Sequence, residues 1–125
     1  MADLLFDIEA FFVSKGVASI VYKDMAPDTP DNLIALYEYE GSTYIPQITG
    51  ATRSVQFVVR DISATVAKTK ARELYQSLVT EDGILNLTTE RWCVIQLKQP
   101  PFRLKVDESG RVYYVFNASI KTYID

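Results

Sequence analysis

Residues 54–79 read SVQFVVRDISATVAKTKARELYQSLV, a strand that runs straight into a helix. Val55, Phe57, Val58 and Val59 are the β-branched and aromatic residues that suit a half-buried strand, here predicted over 54–60. Asp61, Ile62 and Ser63 then break the pattern with helix-capping side chains. From Ala64 the apolar period becomes helical: Ala64, Ala67, Ala71, Leu74, Tyr75 and Leu78 fall three or four apart. Thr65, Lys68, Thr69, Arg72, Glu73 and Gln76 fill the other side, and Gly83 is the expected left-handed stop. A helix with one apolar stripe must lie on something, and the candidate is a sheet containing its own preceding strand.

Working back toward the N-terminus, residues 3–15 read as a helix with Leu4, Leu5, Ile8, Phe11 and Phe12 on its apolar side. Asp3, Asp7 and Glu9 stand near its positive end and Lys15 near its negative one. A short strand is expected over 18–23. Residues 24–31, DMAPDTPD, read as a rigid turn in which prolines fix φ and aspartates favour turns. The three aspartates do not have the spacing of a calcium loop. Residues 32–39 form a strand with apolar residues on both faces, hence an interior one. Residues 40–52 have no period, yet they hold Tyr44, Ile45 and Ile48, which are costly to leave in water. Three readings stay open for this loop: it orders against a partner, it folds back on its own sheet, or it binds a ligand.

Toward the C-terminus, residues 84–87 pair briefly, and 92–98 form a strand with Cys93, Ile95 and Leu97 on one face. Gln99, Pro100 and Pro101 bend the chain. Residues 102–107 alternate, which predicts Phe102, Leu104 and Val106 facing inward and Arg103, Lys105 and Asp107 outward. Glu108, Ser109 and Gly110 read as a hairpin turn into a last strand over 111–123. Val112, Tyr114, Phe116, Ala118 and Ile120 share one face of it. The expected fold is α+β: a mainly antiparallel sheet packed against two helices, a single domain with a C-terminal β-hairpin.

Composition narrows the function. The 125 residues are 48% hydrophobic and 23% charged, which suits a globular domain and no bilayer span. The acidic start, without a basic region, is not that of a signal peptide. Net charge is −3 with no basic block, against a dedicated nucleic-acid binder. The lone Cys93 excludes an internal disulfide and, with no histidine in the chain, lacks a base to activate it as a nucleophile. Glu38 and Glu40 would share a strand face, but as a solvated strand end. Lys68 and Arg72 share a helical face that suits solvent or a subunit contact. No phosphate loop, nucleophile elbow, dinucleotide fingerprint or metal motif is present. No catalytic, cofactor-binding or metal-binding residue is therefore predicted.

Four stretches carry a family resemblance. They are DMAPDTPDN (24–32) running into LYEYEG (36–41), VQFVVRD (55–61), the helix positions Ala67, Lys70, Ala71, Leu74, Tyr75 and Leu78, and QPPF (99–102) followed by DESGR (107–111) and its tyrosine-containing return strand. In this order and spacing the chain resembles the minor capsid or tail terminator proteins of tailed bacteriophages. The resemblance implies a structural virion protein, made in the bacterial host cytoplasm, that forms a ring, typically of six subunits, at the head–tail junction. Such a ring stops tail-tube polymerisation. It would contact itself, the major tail tube protein and the head-connector protein, and let genome DNA pass without specific binding. Closed rings join one patch to a different patch on the neighbour. On physical grounds Tyr39, Gly41, Tyr44, Ile45, Pro46 and Ile48 are the expected interface residues. The alternatives are a head-closure or tail-completion protein of the phage neck, and a small-ligand-binding regulatory domain.

Overall fold

The computed structural model describes residues 4–39, 51–89 and 91–122. The elements in order are α1 (Leu4–Ser14), β1 (Tyr22–Lys23), β2 (Leu33–Tyr39), β3 (Ala51–Asp61), α2 (Ala64–Leu78), β4 (Ile84–Asn86), β5 (Trp92–Leu97), β6 (Phe102–Val106) and β7 (Val112–Thr122). The strand–helix unit forms where its sequence predicts, but β3 begins at Ala51, so residues 51–52 of the expected loop belong to the strand. The Ser63 hydroxyl accepts from the Val66 amide and caps α2, whose stripe of Ala67, Ala71, Leu74 and Leu78 is buried. The helix ends differently: Leu78 is its last residue, Val79 is extended, and Gly83, at φ +75°, serves the turn into β4 instead.

The fold is α+β with a mixed sheet. Its order is β1-β2-β3-β7-β5-β4, with β6 also on β7. β1 and β2 are parallel, and the remaining pairs are antiparallel. The expected terminal hairpin is only part of the picture, because β7 is a central strand. Its whole length pairs with β3, from Ala51 opposite Thr122 to Asp61 opposite Val112. On its other side β5 and β6 lie end to end, β5 along Ala118–Thr122 and β6 along Val112–Val115. Pro100 and Pro101 interrupt what would otherwise be one long strand, since proline cannot donate to a ladder.

Both helices cover one sheet face. Leu4, Leu5, Ile8, Phe11 and Phe12 of α1 join the α2 stripe, Ile34 and Leu36 of β2, Val55, Phe57 and Val59 of β3, Cys93 and Ile95 of β5, and Phe116, Ala118 and Ile120 of β7. Phe57 stacks on Phe116 with centroids 4.5 Å apart, and Phe12 and Tyr75 meet this pair edge-on from α1 and α2. A buried ion pair fixes α1 to the far end of the sheet: the Arg91 guanidinium donates to Asp7 and to the Thr122 hydroxyl. The opposite face carries a smaller core of Leu33, Ala35, Val58 and Val115. Residues 24–31 run beside it, held by two arginines.

Two expectations are corrected. The strand predicted over 18–23 forms only at Tyr22 and Lys23. Upstream, the Glu9 carboxylate accepts from the Val21 amide and the Lys23 ammonium, and Lys70 donates to the Val17 carbonyl. These side chains from both helices take the backbone that would otherwise have laddered onto β2. β6 is exposed throughout, so Phe102, Leu104 and Val106 are not core residues. It is an edge strand with a register shift between Arg103 and Lys105, which breaks the strict alternation of its faces.

Candidate functional site

Apart from Phe6 and Val13 on α1 and Val79 after α2, the large apolar residues that remain in water lie toward the two ends of the sheet. At the β4–β6 side, Ile84 pairs with Val94, and Trp92 stands two residues from Val94 on the same face. All three are exposed, as are Phe102, Leu104 and Val106 of β6. Six large apolar side chains along one flank exceed the scatter expected of a solvated surface. Arg103 and Lys105 interleave with those of β6, and the run from Lys98 to Lys105 contains no acid.

At the β1–β2 side the exposed apolar residues are different ones: Ile20, Met25, Tyr39, Ile62 and Val66. Ile20 and Val66 belong to a cleft of about 510 Å³. One wall is the segment around Ala18, Ser19 and Ile20, another is Asn32, Leu33 and Ile34, and the start of α2 lies below. Its charged groups are already engaged. Arg60 donates to the carbonyls of Pro27, Asp28, Pro30 and Asp31 at 2.6–3.3 Å. Lys70 is bonded to Val17 and paired with Glu73 at 2.6 Å, and the Asp61 carboxylate accepts from the Ser63 amide. A small-molecule site needs a few convergent polar groups left over to fix its ligand. The charged groups lining this cleft, Arg60, Asp61 and Lys70, are committed to holding its walls.

A second arginine braces the same loop. Arg111 pairs with Asp107 at 2.8 Å and with Asp28 at 3.0 Å, so the β6–β7 turn and residues 24–31 are tied together. The Asp107 carboxylate also accepts from the Ser109 and Arg111 amides and the Tyr113 hydroxyl. Partial burial alone would raise its pKa, but the hydrogen bonds from Arg111, Tyr113 and Ser109 outweigh that and hold it near 2, against an ordinary 3.8. A depressed carboxylate contributes stability that is complete above its unfolded pKa and is lost as pH falls through the folded value. Its contribution to stability should therefore be complete above about pH 4 and be lost between there and about pH 2, while the folded turn keeps its ionised carboxylate until close to pH 2. A carboxyl-carbon NMR titration of Asp107 with a midpoint near 3.8 would contradict this.

Of the predicted interface residues, Tyr39 ends β2, opposite Ser54, with 46% of its surface exposed. Gly41, Tyr44, Ile45, Pro46 and Ile48 lie outside the described residues. The two flanks themselves escaped the sequence reading. The signal for one of them was present, as the cationic run 98–105 interleaved with apolar residues, but alternation alone was read as a core-facing strand. Glu38 and Cys93 have structural roles. Glu38 pairs with Arg53 at 3.3 Å. Cys93 is buried, and burial pushes its thiol up to about 11 although Arg91 pulls the other way. Lys68 and Arg72 are exposed on α2. Among the described residues, no three His, Cys, Asp or Glu side chains gather where they could hold a metal ion.

Comparison with known proteins adds one finding. The family described as bacteriophage tail terminator protein matches residues 9–124, nearly the whole chain. A comparison with curated protein sequences yields no match. The chain belongs to the bacteriophage tail terminator family, a structural family, and this membership implies a virion component.

Proposed function

We propose that this tail terminator family member acts by closing into a ring, with six subunits the expected number, on the head-proximal end of the tail tube. The observation that carries the reading is the separation of two unlike apolar surfaces. Ile84, Trp92, Val94, Phe102, Leu104 and Val106 lie at one end of the sheet, and Ile20, Met25 and Val66 toward the other. Unlike patches on opposite flanks suit a head-to-tail contact, which saturates when the ring closes. The strand edges at both ends offer further backbone pairing.

Tube protein on one side of the ring and the head connector on the other complete the proposed partners, with DNA passing through the centre. The role is structural, without catalysis. A net charge of −3 suits a channel to which DNA should not adhere. Residues 39–48, including Tyr39, Gly41, Tyr44, Ile45, Pro46 and Ile48, are proposed to add to the contacts.

Deleting the gene and imaging the lysate tests the function. Overlong tails without heads are the expected result. Tails of normal length that lack heads would instead make the protein a head-closure or tail-completion component. A purified chain that stays monomeric and leaves tube length unchanged when added to polymerising tube protein would overturn the ring.

A further inference from the structure

α1 is apolar on two opposite sides. Its inner stripe, which includes Leu5, Ile8 and Phe12, is buried on the sheet. Phe6, Ala10 and Val13, four and three residues apart, form a second stripe turned away from the sheet. All three are exposed, Phe6 at 53% and Val13 at 47%. A surface helix of a single domain needs only one such stripe. The acids beside the outer one are already paired, Asp7 with Arg91 and Glu9 with Lys23. The Lys23 ammonium also lies 4.4 Å from the centre of the Phe6 ring. The far end of the sheet has the complementary gap. Leu85, Cys93 and Ile95 pack into the main core under the helices, so Ile84, Trp92 and Val94 lie on the other face of β4 and β5. All three are exposed there, and among the described residues no helix lies on this face. Neither β4 nor β5 contains a charged residue.

We infer that the outer stripe of α1 in one copy of this chain packs on the bare face of β4 and β5 in the next, so that α1 lies between two sheets. This rests on the ring reading and names its contact. Three observations favour a second copy as the occupant. The first is kind. A helix stripe without a sheet and a sheet face without a helix are the two halves of the layer contact that α1 already makes inside the subunit. The second is placement. α1 packs on β2, and Glu9 ties it to Val21 and Lys23, so it stands at the β1–β2 end on the helix side of the sheet. The bare face is at the β4 end and on the opposite side. The two surfaces of one subunit therefore point away from each other, and the front of one copy meets the back of the next in a head-to-tail repeat. Two α1 helices meeting each other would close a pair and leave both bare faces in water. The third is extent. Phe6 to Val13 covers about 10 Å of helix at 1.5 Å per residue. Trp92 to Val94 covers about 7 Å of strand, and Ile84 adds a strand spacing of about 4.8 Å across it. Lys121, opposite Val94 on β7, borders the patch, and its long stem lets the ammonium stay in water.

Paired cysteines test the contact. Ala10→Cys or Val13→Cys is combined in turn with Ile84→Cys or Val94→Cys, so that the result does not depend on one register. The parent residues are exposed, which leaves folding intact, and Cys93 is buried and protonated at the pH of oxidation. Rings assembled on tail tubes are oxidised and run on a denaturing, non-reducing gel. At least one pair should convert the monomer band into a ladder ending at the closed ring, and each single cysteine should give none. A circular dichroism spectrum confirms each fold. A dimer from Ala10→Cys or Val13→Cys alone would overturn the contact, because α1 would then meet α1. A cross-link from position 94 to tube protein would also overturn it, assigning the bare face to the tube. Variants that cap tails at native length yet give no ladder for any pair would overturn the α1 contact and leave the ring reading standing. Failure of the unmodified chain to form rings or limit tail length would remove both.

Discussion

Phe57→Ala should lower stability by about 4 kcal/mol, the usual cost of emptying a large aromatic site in a core. Phe57 is fully buried at the point where all the major elements meet. Its ring lies on Phe116 of β7, at 4.5 Å and nearly parallel, and Phe12 of α1 meets it edge-on at 6.1 Å. Tyr75 of α2 reaches Phe116 from the other direction at 5.4 Å. Truncation removes transfer free energy and leaves a void that two helices and two central strands would have to collapse to fill. A domain of this size has only about 5–15 kcal/mol in total, so the melting temperature should fall by about 15 °C. Phe57→Leu keeps much of the volume and should cost about 1.5 kcal/mol. Urea unfolding with an unchanged slope measures both. A loss below about 1.5 kcal/mol for the alanine variant would mean that the two-helix layer relaxes onto the sheet more freely than this packing implies.

What the sequence makes legible follows from how local the determinants are. The strand and helix of residues 54–79 are written in their own periods, and so are the buried faces of α1, β2 and β7. In each, side chains a few residues apart decide which face turns inward. The strand at 18–23 is decided elsewhere. Glu9 and Lys70 capture its backbone, and the fold alone brings them to it. A reading of the segment by itself had no access to those partners and extended the strand too far. For β6 the alternation is genuine, but alternation reports that one face is apolar and does not say what covers it. Phe102, Leu104 and Val106 have the spacing of a buried face and the position of an outer edge. That mismatch also hid the candidate assembly surface: strand order reveals it, and strand order is a property of long-range pairing. Tyr39 stands exposed at the end of a strand whose first four residues are buried. The family was legible for a different reason, since the order of several short stretches survives without any one of them being diagnostic.

Arg60→Ala should cost about 3 kcal/mol of stability and about 1.4 kcal/mol in assembly. The side chain is 2% exposed, and its guanidinium is spent on backbone. Nε donates to the Asp31 carbonyl at 3.0 Å, and Nη2 is directed at those of Pro27, Pro30 and Asp28 at 2.7, 2.6 and 3.3 Å. A loop with two prolines has few amides of its own, so its carbonyls need an external donor, and one buried arginine serves four of them. Removing it leaves those oxygens without their partner beside an apolar patch of Leu33, Val58 and Val115. Arg60→Lys keeps the charge but not the planar fork, and it should recover less than half of the loss. The effect on assembly follows from position. The loop sets Pro30 and Asn32 in the wall of the cleft on the β1–β2 flank, one of the two surfaces proposed to meet in the ring. Below its melting temperature, the alanine variant should retain native helix content yet cap tail tubes about tenfold less efficiently, equivalent to about 1.4 kcal/mol at the contact. Reversing the charge of Arg103, which lies on the opposite flank and holds no loop, should weaken capping without lowering the melting temperature. If Arg60→Ala melts early but caps at full efficiency while folded, the cleft wall is not part of the contact. If it caps poorly and melts normally, the loop acts in assembly without contributing to the fold.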